Sequence, residues 1–396
     1  MIKTLGCKVN QAESQTMANQ LVAQGNCQVD KPEDANLIII NTCTVTHVAD
    51  RKSRQMIRKL FVANPSAEII ITGCVVENPG SELPDIGRIV KKENIFDEAL
   101  KYSSSCTNTT VPSFRRTRKH ILIQAGCNYF CSYCIIPTVR HNLSSRPLKD
   151  ILEEAKTFVN DGTKELVLTG INLGLYENNG QTLTALVEAL LLIPGDFRIR
   201  LGSIEPNLIS DRLLSLIENN KKICPHLHIP LQGASDNLLK IMGRRYNTSF
   251  YLSLVSKIQK VTRKIAITTD IIVGHPGETA ADFDQIITLL NKDIFLNVHL
   301  FMYSKREGTR SYDRTDHLAD SIKKERMKAA LGKLQEMKKR VLCSFINTPC
   351  QVLIEANNKG YSEHYIPCSL TVPAKNNSFQ NKTYSQLEKN LEITCL

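Results

Sequence analysis

Cys127, Cys131 and Cys134 sit together in QAGCNYFCSYCIIP, from Gln124 to Pro137, in the spacing C-x3-C-x2-C, with Tyr133 just before the last of them. Three thiolates this close in sequence can hold three irons of a cubane [4Fe-4S] cluster, and the missing fourth cysteine leaves the last iron open to an outside ligand. An open iron is a place for reaction. Zinc is the competing reading of the C-x2-C pair, but a structural zinc site needs a second pair or two histidines further on. The next cysteines are Cys224 and Cys343, and no H-x3-5-H follows at finger distance. Disulfides suit an oxidising compartment, and a reactive triplet suits a reducing one.

A second set is spread over the first hundred residues. Apolar runs at Met1 to Leu5, Leu37 to Ile40 and Ile69 to Ile71 are each followed closely by a small residue and a cysteine: Gly6-Cys7, Thr42-Cys43 and Gly73-Cys74. The second and third runs are uninterrupted and β-branched, as buried parallel strands are. Residues just past the ends of parallel strands share one edge of the sheet, where ligands bind. Cys7, Cys43 and Cys74 are therefore expected to meet in space and to hold a second cluster. Cys27, Cys106, Cys224, Cys343, Cys350, Cys368 and Cys395 show no such equivalence and read as core or surface thiols, all thirteen cysteines being reduced or metal-bound.

The elements that must position these residues follow from the apolar periods. Val48 to Phe61 reads as a basic helix, with Val48, Met56, Ile57 and Leu60 inward and Arg51, Lys52, Arg54, Arg58 and Lys59 outward, a face suited to RNA phosphates. Residues 101–119 are polar, then basic, and read as a linker. From His120 the pattern is βα repeated, with strands at Ile121 to Gln124, Glu165 to Thr169, Phe197 to Gly202, His226 to Leu231, Ile265 to Val273 and Phe295 to Met302. Helices begin after Pro147, at Thr182 and at Ala281. Six such units predict a partial barrel, open on one side, with its site at the C-terminal strand ends and the cysteine triplet after the first strand.

Further residues at those strand ends are candidates for holding a small cofactor: Thr169, Gly170 and Asn172 after the second strand, Glu205 after the third, Gln232 in QGASD after the fourth, and Asp270 in DIIVGHPGE on the fifth. A charged helix at Ile322 to Leu342 follows, with Met327, Leu331, Leu334, Met337 and Val341 as its inner stripe. Residues from about Pro349 turn β-like and predict a small barrel of the OB-like kind, a fold that grips single-stranded nucleic acid. The expected fold is thus α/β: a parallel α/β domain at 1–100, a linker at 101–119, a TIM-like (βα)6 core at 120–345 and a small β domain at 346–396.

The net charge of +11 favours a polyanionic partner. Arg51, Arg54, Arg58, Arg244 and Arg245 are candidate RNA contacts, with Arg115 to Lys119 and Lys323 to Arg326 as further basic segments. The first residues carry no apolar signal region, and nowhere is there an apolar run of 18 residues. A cytoplasmic protein without a membrane anchor is expected.

The triplet with its preceding tyrosine resembles the signature of the radical S-adenosylmethionine superfamily. With both cysteine sets in view, TLGCKVNQAES, INTCTVTHVADRKSRQ, ITGC and GCNYFCSYCIIP resemble the methylthiotransferases along roughly the first 340 residues, and most of all the branch acting on N6-threonylcarbamoyladenosine in transfer RNA. The resemblance implies an N-terminal methylthiotransferase domain, a radical core and a C-terminal TRAM domain. It implies a radical cluster on Cys127, Cys131 and Cys134, an auxiliary cluster on Cys7, Cys43 and Cys74, and S-adenosylmethionine as cofactor. The implied product is the 2-methylthio derivative of the adenosine just 3′ of the anticodon. The implied partners are the transfer RNA anticodon loop, a flavodoxin- or ferredoxin-type electron donor and a sulfur source. QGASD replaces the family's Q-S-G-S-D, His141 replaces a common glycine, and the first strand is short enough that the true start is expected upstream. The alternatives are a branch acting on another transfer RNA adenosine or on a ribosomal-protein aspartate, and a non-catalytic metal-binding protein that binds RNA.

Overall fold

The structure is a computed structural model of the 396-residue chain and describes residues 1–78, 81–101 and 117–396. The linker expected at 101–119, with Cys106 and Arg115, lies largely outside the described residues. The chain divides into two compact units. One holds the N-terminal residues together with Ala125–Leu143 and Ser304–Tyr312; the other holds the rest of the chain to Leu396.

In the first unit β1 (Ile2–Thr4), β2 (Leu37–Thr42), β3 (Glu68–Gly73) and β4 (Arg88–Ile89) form one parallel sheet in that order. Alternate residues of a strand face opposite sides. Ile38, Ile40, Ile69 and Ile71 accordingly pack on one face with Ile57 and Leu60 of α2 (His47–Ala63). Ile39 and Ile70 pack on the other face with Met17 and Leu21 of α1 (Lys8–Ala23). Each such isoleucine removed from water contributes about 1.5–3 kcal/mol. A strand buried on both faces is why the sequence shows an unbroken apolar run instead of an alternation.

The inner face of α2 differs from the expected one. Val48 is exposed, whereas Asp50 and Ser53 are buried beside Ile57 and Leu60. Two polar residues displace the apolar stripe because both have specific partners, described below.

In the second unit β5 (Arg118–Ala125) pairs with Glu165–Gly170, which pairs with Arg198–Leu201, all parallel. His226–His228, Ala266–Val273 and Asn297–Met302 form a second parallel set. The parallel bridges Ile199↔Ile223 and Ser203↔His228 join the two sets into the open half-barrel that the sequence predicts. Five strands between Pro349 and Cys395 close into a barrel. This barrel meets the N-terminal ends of the parallel strands. Glu165 is fully buried and accepts from Arg198 Nε at 2.6 Å and Arg200 Nε at 2.7 Å. The remaining guanidinium donors reach the carbonyls of Gln351, Tyr361, Ser362 and Glu363. In sheets of this kind ligands bind at the opposite, C-terminal ends of the strands.

On the helix Asp320–Cys343, Ala330, Leu334, Met337 and Val341 are buried but Leu331 is exposed, a correction to the expected stripe. Among the described residues no helix is long and apolar enough to cross a membrane. Cys224, Cys350, Cys368 and Cys395 are buried core thiols. Cys27, expected as a thiol, is disulfide-bonded, its exposed position leaving the sulfur accessible to a partner.

Candidate functional site

Thr4 pairs with Asn41 and Thr42 with Gly73, so the chain leaves β1, β2 and β3 at one edge of the sheet, where Cys7, Cys43 and Cys74 follow. Asn10, in the first turn of α1, clamps that edge by donating to the carbonyls of Leu5 and Thr42, each at 2.8 Å. Gly6 has φ +98°, and a Cβ there would fall 2.6 Å from Cys43 Cβ and 2.7 Å from its Sγ. Only glycine permits that approach. Gly73 and Gly126, each before a cysteine of interest, also lie at positive φ, +104° and +73°.

Cys43 and Cys74 are buried and Cys7 is exposed. Burial pushes the Cys43 thiol up to about 11, with the neighbouring Cys74 and Cys7 adding to the effect. Two cations stand beside the set. Lys92 Nζ lies 3.6 Å from Cys74 Sγ, and Arg140 donates to Glu13 at 2.7 Å and to Asn10 at 2.8 Å. Burial opposes the Arg140 charge, but Cys74, Glu13 and Cys7 raise its pKa above the ordinary arginine value. An all-sulfur donor set with cations at its side fits an anionic iron-thiolate group.

The second cysteine set occupies a loop in the same unit. The Cys134 amide donates to the Cys131 carbonyl at 3.0 Å, and Phe130, just before Cys131, takes φ +49°. Residues 304–312 brace this loop. Ser311 Oγ meets Ser132 Oγ at 2.8 Å with both residues buried, the Ser311 amide donates to the Ser132 carbonyl at 2.8 Å, and Arg310 donates to the Phe130 carbonyl at 2.6 Å. Ile135 and Val139, directly after the triplet, pack on Cys74. The two sets thus share a wall.

In the second unit Thr169, Gly170, Asn172, Glu205 and Gln232 lie at or just past strand ends, as expected, whereas Asp270 lies inside the strand Ala266–Val273. A Cβ on Gly170 would come within 3.0 Å of the Gln124 carbonyl. The Asn172 amide donates to Gln124 Oε1 at 3.0 Å, its Oδ1 accepts from Gly174, and its buried Nδ2 has no acceptor. A bare glycine edge beside an orphan donor fits a ligand oxygen. Thr169 is buried and its hydroxyl donates to the Val167 carbonyl at 3.1 Å. Gln232 is held at φ +71°, donates from its amide to the Asp270 carbonyl at 2.7 Å and accepts from the Ile272 amide at 2.9 Å. Such left-handed residues concentrate at functional sites.

Glu205 is ion-paired with Arg244, and Arg244 also donates to the Tyr246 hydroxyl at 2.7 Å. Burial keeps the Glu205 carboxyl above its usual range even so. Arg244, expected on RNA, has its side chain turned inward to that carboxylate, while its neighbour Arg245 is exposed. Arg51 and Arg58 are exposed on α2 and Arg54 is half-buried.

His228 and His299 escaped the sequence reading as site residues, although their neighbour Asp270 did not. Asp270 Oδ2 lies 3.2 Å from His228 Nε2, and with His299 these groups place their ligand atoms within 4.8 Å of one another. Arg140, Lys92 and Arg306 also went unnoticed as site residues. No local pattern separates them from surface cations, because the partners that define them are distant in sequence.

Residues 121–290 match the profile of the Radical SAM superfamily, and residues 1–92 that of uncharacterized protein family UPF0004. A threonylcarbamoyladenosine tRNA methylthiotransferase, MtaB, of Thermotoga maritima is 35% identical over 390 residues, covering 92% of this chain and 89% of the relative. MtaB of Bacillus subtilis is 32% identical over 397 residues, covering 92% and 88%. A tRNA-2-methylthio-N(6)-dimethylallyladenosine synthase of Acetivibrio thermocellus is 33% identical over 387 residues, covering 90% and 81%. Among solved structures, the radical S-adenosylmethionine methyltransferase TsrM from Kitasatospora setae matches with a TM-score of 0.51 at 14% identity, over 77% of this chain and 68% of that one, a likeness of fold. On the strength of relatives this similar over nearly their whole length, the chain belongs to the radical S-adenosylmethionine tRNA methylthiotransferase family.

Proposed function

We propose that this chain inserts a methylthio group at C2 of N6-threonylcarbamoyladenosine, beside the anticodon of transfer RNA, to give its 2-methylthio derivative. Cys127, Cys131 and Cys134 hold the cluster that binds S-adenosylmethionine, and Cys7, Cys43 and Cys74 hold the auxiliary one. When bound, the clusters would relay the electron and carry the sulfur, and S-adenosylmethionine would supply the carbon radical and the methyl group.

The observation that carries this reading is the packing of Ile135 and Val139 on Cys74, which sets two all-sulfur donor sets side by side within one unit. An aromatic C–H bond is no target for acid-base chemistry, so hydrogen removal and sulfur delivery must happen close together.

The chain's own residues have the supporting roles. Lys92 and Arg140 offset the negative charge gathered on the thiolates of Cys7, Cys43 and Cys74. Thr169, Gly170, Asn172, Glu205, Gln232 and Asp270 are assigned to S-adenosylmethionine, with Arg244 positioning Glu205. Arg51, Arg54, Arg58 and Arg245 are assigned to RNA, whose target base must be splayed from its stack. The methylthiotransferase domain takes in residues 1–100, the radical core 120–345 and the TRAM-like domain 346–396. A flavodoxin- or ferredoxin-type donor gives the electron, a separate source gives the sulfur, and the work is done in the cytoplasm.

The test is nucleoside mass spectrometry of transfer RNA from cells lacking a methylthiotransferase of this branch, with and without this gene. Appearance of 2-methylthio-N6-threonylcarbamoyladenosine is expected. Appearance instead of the 2-methylthio derivative of N6-dimethylallyladenosine overturns the substrate, and no product from iron-loaded protein overturns the activity.

A further inference from the structure

The first unit contains a cavity of about 530 Å³ beside α2, lined among others by Asp50, Arg54, Arg58, Lys305, Arg306 and Tyr312. The helix that walls it also fixes Cys43. Ser53, one turn after Asp50, donates from Oγ to the Cys43 carbonyl at 3.1 Å and accepts from the Cys43 amide at 3.3 Å. The cavity is therefore tied to the edge of the sheet where the cysteines gather.

Its wall includes a buried ion pair in which Arg306 Nη1 meets Asp50 Oδ2, the arginine side chain being only 5% exposed. The pair is incomplete. Arg306 Nε and Nη2 have no acceptor, and Asp50 Oδ1 has no donor. Buried polar groups are ordinarily satisfied, and charged ones are costly to leave unmade. Nε and Nη2 form one edge of the guanidinium, two parallel donors at the spacing of a carboxylate. An RNA phosphodiester could take that edge but brings no proton for Asp50 Oδ1. A carboxylate with a hydroxyl or N–H close by satisfies all three atoms.

We infer that this cavity reads the amino-acid substituent of the modified adenosine, its carboxylate on the Nε and Nη2 edge of Arg306 and its hydroxyl or carbamoyl N–H on Asp50 Oδ1. This rests on the proposed function, and it names Asp50 and Arg306 as the residues that select the substrate. An N6-dimethylallyl group offers neither an anion nor a donor and leaves the pair unsatisfied. A site built around polar groups rejects analogues that lack their partners far more strongly than an apolar pocket rejects a missing methylene.

The test uses the full chain with its clusters reconstituted and three anticodon stem-loop RNAs, bearing N6-threonylcarbamoyladenosine, its carboxyl methyl ester, or plain adenosine at the target position. Affinities are read by fluorescence anisotropy, and the nucleoside assay is run in parallel. The wild type is expected to prefer the free carboxylate over both other RNAs by about tenfold or more, roughly 1.4 kcal/mol per decade. Arg306→Lys, which keeps a cation beside Asp50, and Asp50→Asn are each expected to reduce that preference towards unity while leaving affinity for the adenosine RNA nearly unchanged. Equal binding of the ester and the free acid by the wild type overturns the inference without use of any variant. Equal weakening of all three RNAs by Arg306→Lys also overturns it, making Arg306 a phosphate contact. Product formed in the nucleoside assay alongside either result leaves the proposed function standing and sinks the pocket alone.

Discussion

Cys7, Cys43 and Cys74 follow three strands far apart in sequence and come together because β1, β2 and β3 end in register, whereas Cys127, Cys131 and Cys134 lie on one short loop that turns between Cys131 and Cys134. The first set inherits its geometry from a core packed on both faces of a sheet. The second inherits its geometry from a few hydrogen bonds to residues 304–312. The same donor chemistry is thus built once on long-range order and once on local order. The two should fail separately.

The largest test of that separation is to remove one sulfur from each set. Cys43→Ala and Cys131→Ala are both expected to abolish methylthio product and to lose half of the iron of the reconstituted protein. Only Cys131→Ala should also abolish reductive cleavage of S-adenosylmethionine to 5′-deoxyadenosine. If Cys43→Ala loses all the iron or all the cleavage, the sets are not independent.

Next in size is the support beneath the first set. Arg140→Ala leaves Glu13 without its closest cation in a buried setting, and breaking a buried pair from one side costs about 3–5 kcal/mol. Denaturant unfolding of the metal-free protein measures it. Burial alone would raise the Glu13 carboxyl, but Arg140 and Lys92 hold it below its usual value of 4.5. A carboxylate depressed in the folded state stabilises fully above its unfolded value, and that stability is lost as the pH falls through the folded value. The wild type should therefore lose thermal stability below about pH 4.5 more steeply than Glu13→Gln. Parallel acid profiles for the two proteins would remove Glu13 from the account.

Gly73→Ala is expected to be smaller. A side chain at φ +104° costs about 1–2 kcal/mol, and here its Cβ would also collide with the Thr42 backbone. The expected result is lower iron retention by the first set with cleavage of S-adenosylmethionine intact. Normal iron in both sets would show that the strand end can shift without moving Cys74.

How much of this was readable in advance follows the same division. The local set is a spacing, and a spacing is visible in any sequence. The long-range set was readable because each strand carries its own mark, an apolar run followed by a small residue and a cysteine, and parallel register does the rest. The strands at Glu165–Gly170 and Ala266–Val273 and the helix Leu148–Asn160 were likewise carried by local periodicity. What escaped were pairings between residues that look ordinary alone. Asp50 and Arg306 stand 256 positions apart, and Arg198 reaches carbonyls more than a hundred residues away. Arg244 read as a surface cation because nothing near it in sequence announces Glu205. Val48 read as core because helical periodicity assigns a face by hydrophobicity, and the α2 face was instead decided by hydrogen bonds from Ser53 and an ion pair from Asp50.

The finest test of the contrast acts on the brace of the second set. Ser311→Ala removes the hydroxyl that meets Ser132 at 2.8 Å but keeps the backbone bond between the same residues. A lost hydrogen bond of this kind costs about 1 kcal/mol, too little to unfold a domain. Because Ser132 lies between Cys131 and Cys134, that small loosening falls on the turn that gathers the triplet. The expected outcome is a several-fold slower formation of 5′-deoxyadenosine, with the iron of the first set and the melting temperature of the metal-free protein almost unchanged. A uniform fall in both iron sets would mean that the brace supports the whole unit, and the separation of local from long-range order would have to be given up.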